Sequence, residues 1–216
     1  MSNTRNGILA QIVIALGGTV RNPDNRNMLL EDWRDAVGGG GPATREVFNF
    51  NAVNQWISLG GNILVPAGQS IEMMVRVNNT ATGSNQYLMD SALDTDPNRT
   101  AVFVTSTGTY LDGDFDSELD GQPFANGSQW PDSEFHHLKL TAVTNTNVGT
   151  LAARANGSGA NFLGGVIYNI KFNGGSVNNY PVDDGWSNNP IIRNTGSGAD
   201  ATLINGLESG WETIPV

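Results

Sequence analysis

Residues 71–77, IEMMVRV, set Ile71, Met73, Val75 and Val77 against one face of an extended chain and Glu72 and Arg76 against the other. Side chains on a strand alternate with a period of two, so this stretch predicts a strand with one dry and one wet face, the pattern of an antiparallel sheet. The same grammar extends outward in both directions. Val47–Phe50 alternates, Trp56–Leu59 continues after a short break, and Ala101–Val104, Thr109–Leu111, Phe135–Ala142, Thr150–Arg154 and Gly165–Phe172 supply further strands. Short strands separated by frequent turn residues predict a β-sandwich.

Upstream of about residue 40 the period changes. Thr4 can cap a helix in which Ile8, Leu9, Ile12, Val13 and Leu16 recur at helical spacing, and Gly17–Gly18 supplies its stop. After the Asn22–Asn25 turn, a second helix carries Met28, Leu29, Trp33, Ala36 and Val37 on one side and acidic residues mostly on the other. Helices of about ten residues are marginal alone in water, so their apolar stripes need a partner surface. With the glycine run Gly38–Gly41, residues 1–41 form an expected attachment module, in which Ile8, Leu9, Ile12, Val13, Leu16, Leu29 and Trp33 are the candidate contact residues. Residues 42–216 form the expected sandwich with a C-terminal extension.

Composition narrows the function classes. A net charge of −10 over 216 residues opposes nucleic-acid binding, which requires a concentrated basic surface. The absence of cysteine removes disulfides, thiolate metal sites and cysteine nucleophiles. No apolar run reaches the roughly 18 residues of a membrane span. Ile8–Leu16 is broken by Gln11 and followed by Gly17–Gly18, unlike a secretory signal, so synthesis in the cytosol is the expectation.

Three resemblances add to this reading. The N-terminal segment, with its ALGGTV turn followed by NRNMLLEDWRDA, resembles short N-terminal modules of bacteriophage virion proteins that precede a variable display domain. The order of FNFNAVNQWISLG, SIEMMVRVN, SELDGQPF, SEFHHLKLTAV and FLGGVIYNIKF over residues 45–173 is similar to that of concanavalin-like and laminin-G-like jelly rolls. The closing stretch from Tyr180 to Ile214 resembles C-terminal extensions of phage fibre and decoration proteins. In it Leu203 and Asn205 alternate, Trp186 and Trp211 are available for packing, and a terminal hairpin that closes the fold is expected.

These resemblances imply a mainly β, concanavalin-like jelly-roll sandwich on a short helical module. They imply a non-enzymatic structural protein on a virion surface, a capsid decoration or head fibre displaying a lectin-like domain. Its partners would be other capsid or tail proteins, further copies of itself and a glycan, with neither nucleic acid nor membrane insertion. A short tail fibre that recognises host glycans is the near alternative. A carbohydrate-active enzyme of the glucanase sandwich fold, or a free-standing sugar-binding module, represents another class.

Three groups invite a chemical role. Asp112, Asp114, Asp116, Glu118 and Asp120 alternate, and on one strand they would share a face opposite Phe115 and Leu119. Hard oxygen ligands suit calcium, but an EF-hand loop counted from Asp116 has Gly127 where a bidentate Glu is required. Glu118-Leu119-Asp120 resembles the catalytic stretch of laminarinase-type glucanases, yet Gln122 and Pro123 stand where the second Glu belongs, so the carboxylate pair of a retaining hydrolase is broken. His136 and His137 are adjacent, so on a strand they point to opposite faces and cannot easily share one ion. No catalytic, cofactor or metal residue is therefore assigned. Trp56, Trp130 and Trp186 could serve as sugar platforms, although core packing is the expected role of each.

Overall fold

A computed structural model describes residues 10–12, 14, 44–78, 84–93, 95–112, 115–157, 161–183 and 190–215. The chain divides into two compact units, residues 46–213 and residues 1–45 with 214–216. The protein is mainly β. The described strands are β1 (Thr44–Asn51), β2 (Trp56–Val65), β3 (Ser70–Val77), β4 (Gln86–Asp90), β5 (Ala101–Thr105), β6 (Gly108–Asp112), β7 (Phe115–Leu119) and β8 (Gln122–Pro123). They continue with β9 (His136–Ala142), β10 (Thr146–Leu151), β11 (Gly164–Phe172), β12 (Asn178–Tyr180), β13 (Ile191–Ile192), β14 (Ala201–Ile204) and β15 (Trp211–Pro215).

Two antiparallel sheets form a sandwich-like arrangement. One has the order β15-β1-β11-β3-β9-β7-β8, with β12 also paired to β11; the other runs β13-β14-β2-β10-β4-β5-β6. The strand 71–77 behaves as its alternation predicts: Ile71, Met73, Val75 and Val77 are buried, and Glu72 and Arg76 are half-buried. Leu138 and Leu140 of β9 and Ile167 and Ile170 of β11 extend the same buried face, while Ile57, Leu88, Met89, Val102, Val104 and Val148 are buried on the other sheet. Burying one such side chain stabilises the fold by about 1.5–3 kcal/mol.

Two strands depart from expectation. β4 shows no alternation because all five of its residues are buried, so no wet face marks it in the sequence. The strand expected over Thr150–Arg154 instead spans Thr146–Leu151, and the chain leaves the ladder at Ala152, whose φ is +63°. The Asp120–Gly121 turn joins β7 to β8 with φ values of +52° and +75°, the primed two-residue geometry that matches strand twist. The C-terminal extension closes both sheets, as β13 and β14 pair and join β2 in one sheet while β15 lies in the other. Trp186 lies outside the described residues, and Asn205 sits in the turn after β14.

In the smaller unit Ala10, Gln11, Ile12 and Ile14 are helical. Of the candidate contact residues only Ile12 is described, and it is exposed. Ile8, Leu9, Val13, Leu16, Leu29 and Trp33, the second helix and the glycine linker lie outside the described residues. No helix among the described residues is long and apolar enough to cross a membrane.

Candidate functional site

The acidic run does not occupy one strand. Asp112 ends β6 in one sheet, whereas Asp116 and Glu118 belong to β7 in the other, and Asp120 sits in the turn beyond. Asp114 lies outside the described residues. The expected shared face is therefore split where the chain crosses between sheets. Within β7 the alternation survives: Leu119 is buried and Asp116 is exposed. Glu118 pairs with Lys139 Nζ at 3.1 Å, its cross-strand neighbour on β9. With Asp120 displaced into the turn, Glu118 and Asp120 are not presented together from one strand. No group of three or more His, Cys, Asp or Glu side chains among the described residues is arranged to hold a metal ion.

The two histidines separate as strand geometry requires. His137 is half-buried, with Nε2 at 3.7 Å from Glu72 Oε2. His136 leaves only 12% of its side chain exposed; its Nδ1 lies 2.6 Å from Asp120 Oδ2 and its Nε2 2.8 Å from Asp132 Oδ1. Carboxylates at both ring nitrogens fit an imidazolium, the form in which both nitrogens donate. Burial pulls the His136 pKa down, but the hydrogen bonds to Asp120 and Asp132 outweigh it and leave it raised above 6.5. Asp120 is lowered by the bond to His136 and then by the His137 backbone N–H, and Asp132 by the Glu134 backbone N–H and then by His136.

Trp130 packs edge-on against His136 and Phe124, with centroids 5.7 and 6.2 Å away, and is buried as expected of a core residue. The segment between β8 and β9 covers the outer edge of β6: Thr109 N–H donates to Ser128 O at 2.7 Å and Gly127 N–H to Thr109 O at 2.8 Å. The histidine clamp thus secures a segment that protects a sheet edge, a structural task.

A different group forms the strongest candidate site. Arg76 Nε donates to Asn78 Oδ1 at 3.1 Å, Asn78 Nδ2 donates to Asn49 Oδ1 at 2.9 Å, and Asn49 Nδ2 donates to Glu212 Oε2 at 2.9 Å. Arg76 Nη2 closes the ring against Glu212 Oε1 at 2.6 Å. Strand register explains the meeting. Asn49 opposes Val166 and Val166 opposes Arg76, so β1 and β3 present these side chains on one face with β11 between them. Gly165 permits the close approach of β11 to β3, because a Cβ there would lie 2.0 Å from the Arg76 carbonyl oxygen. The Arg76 guanidinium is also held over the Phe135 ring, 4.9 Å from its centroid.

Beside this ring, Asn49, Asn51, Asn78, Gln86, Trp211 and Glu212 help to line a cleft of about 410 Å³. Trp211 packs edge-on against Phe48 at 5.5 Å, and its buried indole Nε1 has no hydrogen-bond partner among the described residues. The opposite charges of Arg76 and Glu212 compensate each other. The remaining surface is dense in planar amides, and each Asn NH₂ has a second hydrogen beyond the one used in the ring. Such a surface suits a neutral, polyhydroxylated ligand, whose neighbouring hydroxyls can engage donor and acceptor together. Sequence reading assigned none of the four ring residues, since Asn49 and Glu212 are 163 positions apart and no local spacing joins them.

Comparison of the chain with protein-family models, curated proteins and solved structures finds no match in any of the three.

Proposed function

We propose that the protein is a non-enzymatic accessory structural protein of a bacteriophage virion, a capsid decoration or head fibre that displays a concanavalin-like jelly roll with lectin-like recognition. Attachment is assigned to residues 1–41, on the strength of their likeness to phage virion modules. Capsid proteins and further copies of the chain are its assembly partners, and its place is the virion surface.

The observation that carries the recognition half is the Arg76–Asn78–Asn49–Glu212 ring beside its cleft. Such convergent polar groups in a concave, partly aromatic setting are what small-ligand sites use for orientation and specificity. The carboxylates considered for hydrolysis are committed elsewhere, Glu118 to Lys139 and Asp120 to His136, which favours binding over turnover.

Electron microscopy of intact particles carrying the labelled full-length protein tests the assignment. A regular pattern over the capsid is expected. Label confined to the tail would replace it with the short tail-fibre reading, which the same cleft also favours, and particles devoid of the protein would overturn the virion assignment. Glycan hydrolysis abolished by Glu118→Gln would overturn the non-enzymatic one.

A further inference from the structure

We infer that the chain carries a second, independent carbohydrate site, a platform for one neutral pyranose built on Tyr110 at the β5–β6 hairpin. A cleft of about 410 Å³ opens there, lined by Asn85, Phe103, Thr105, Ser106, Thr107 and Tyr110. None of the six carries a charge, in a chain with 21 acidic and 11 basic residues, so the cleft suits a neutral ligand. No residue of the ring site takes part, and the two sites stand or fall separately.

Register builds the platform. Tyr87, Phe103 and Tyr110 occupy opposed positions on β4, β5 and β6, and their rings stack with centroids 4.9 and 5.3 Å apart. Val102, Val104 and Leu111 are buried, so alternation turns Phe103 and Tyr110 to the outer face of the sheet. β6 ends that sheet, and the segment covering its edge pairs through Gly127 and Ser128, which bring no fourth ring. Tyr110 is left 38% exposed, whereas the chain's other three tyrosines are buried. Cross-strand stacking stabilises a sheet without any ligand, but it does not call for the hydroxyls that border this last ring.

Those hydroxyls are held in place before any ligand arrives. Thr105 Oγ1 accepts the Thr107 and Gly108 backbone N–H groups, both at 3.1 Å, and so fixes the hairpin turn. Thr107 Oγ1 then sits 3.1 Å from Thr105 Oγ1 and 3.5 Å from the Tyr110 hydroxyl. The second distance is long for two hydroxyls, which usually bond at about 2.7–2.8 Å, so both keep hydrogen-bonding capacity for a ligand. A pyranose presents an apolar C–H face and a rim of hydroxyls, and an exposed aromatic ring beside fixed hydroxyls matches the two together.

Fluorine NMR of the full-length protein labelled with 3-fluorotyrosine tests this, because its four tyrosines give four signals and only Tyr110 is exposed. The probes are the methyl glycosides of glucose, galactose and N-acetylglucosamine. At least one should shift the Tyr110 signal saturably, while the three buried tyrosines stay still and report an intact fold. Tyr110→Leu identifies the signal by removing it. Thr107→Val should weaken the binding about five-fold, the scale of one hydrogen bond, and unchanged affinity would remove the hydroxyls from the site. Asn49→Ala should leave the Tyr110 shift intact. A Tyr110 signal that ignores all three glycosides overturns this site, even where the Asn49 amide responds and the ring site survives. A Tyr110 shift that disappears in Asn49→Ala overturns its independence, and a shift shared equally by all four tyrosines overturns the platform.

Discussion

The acidic run between Asp112 and Asp120 and the ring of Arg76, Asn78, Asn49 and Glu212 are opposites in construction. The first is compact in sequence and dispersed in space, because the chain passes from β6 in one sheet to β7 in the other within it. The second is dispersed in sequence and compact in space, because β1, β11 and β3 lie side by side and β15 brings Glu212 to the same face. In a sandwich, residues near in sequence are often parted by a change of sheet, and a polar site is assembled across neighbouring strands. Alternation along one strand reports which residues share a face, but not which strands lie next to it.

The sharpest way to break this contrast is Gly165→Ala. The new Cβ would meet the Arg76 carbonyl oxygen at 2.0 Å, a contact with backbone that no side-chain rotation relieves. Forced overpacking of this kind costs about 3 kcal/mol. Urea unfolding should show that loss, and an unchanged midpoint would mean that β11 does not need its close approach to β3.

Opening the ring should cost less. Arg76 and Glu212 leave 19% and 31% of their side chains exposed, so solvent screens the pair only in part. Glu212→Ala should destabilise by about 1–2 kcal/mol, the scale of hydrogen bonds to charged groups. A double-mutant cycle of Asn49→Ala with Glu212→Ala should show non-additivity, since both remove the same bond. Strict additivity would mean that the ring does not act as a unit.

The pH response of the His136 clamp should be smaller. The raised His136 pKa means that its stabilisation is complete below pH 6.5 and is lost as pH rises through the higher folded-state value. Asp120 and Asp132 are lowered, so their contribution is present above pH 3.8 and disappears as pH falls through their lower folded-state values. Melting temperature should therefore decline above pH 6.5, and His136→Gln should remove that decline. Identical profiles for the two proteins would refute the clamp.

Least is expected of Asp116→Asn. The residue is exposed, and such substitutions usually change stability by no more than about 0.5 kcal/mol. Calcium should likewise leave the melting temperature nearly unchanged, because only a ligand that prefers the folded state raises it. A chelator-sensitive rise of several degrees would restore a cation role to the acidic residues.

Much of the sandwich was legible because half-buried strands write their two faces into alternation, as Ile71–Val77 does. β4 was hidden by complete burial, and the end of the strand expected to reach Arg154 by the positive φ of Ala152. The candidate site was not legible at all. Asn49 and Asn78 look like ordinary polar residues near strand ends, and only register places them together. His136 was correctly separated from His137 by face, but its tie to Asp120 depends on the turn geometry that follows Leu119.

The most direct test of the central claim follows the side-chain N–H signals of the uniformly labelled full-length protein by NMR during titration with neutral oligosaccharides. The Asn49 and Asn78 amide signals and the Trp211 indole signal should shift in a saturable way, while Lys139 and His137 at the other charged pairs of the sheet stay still. Saturable binding that leaves Asn49, Asn78 and Trp211 unmoved would contradict the ring as the recognition site.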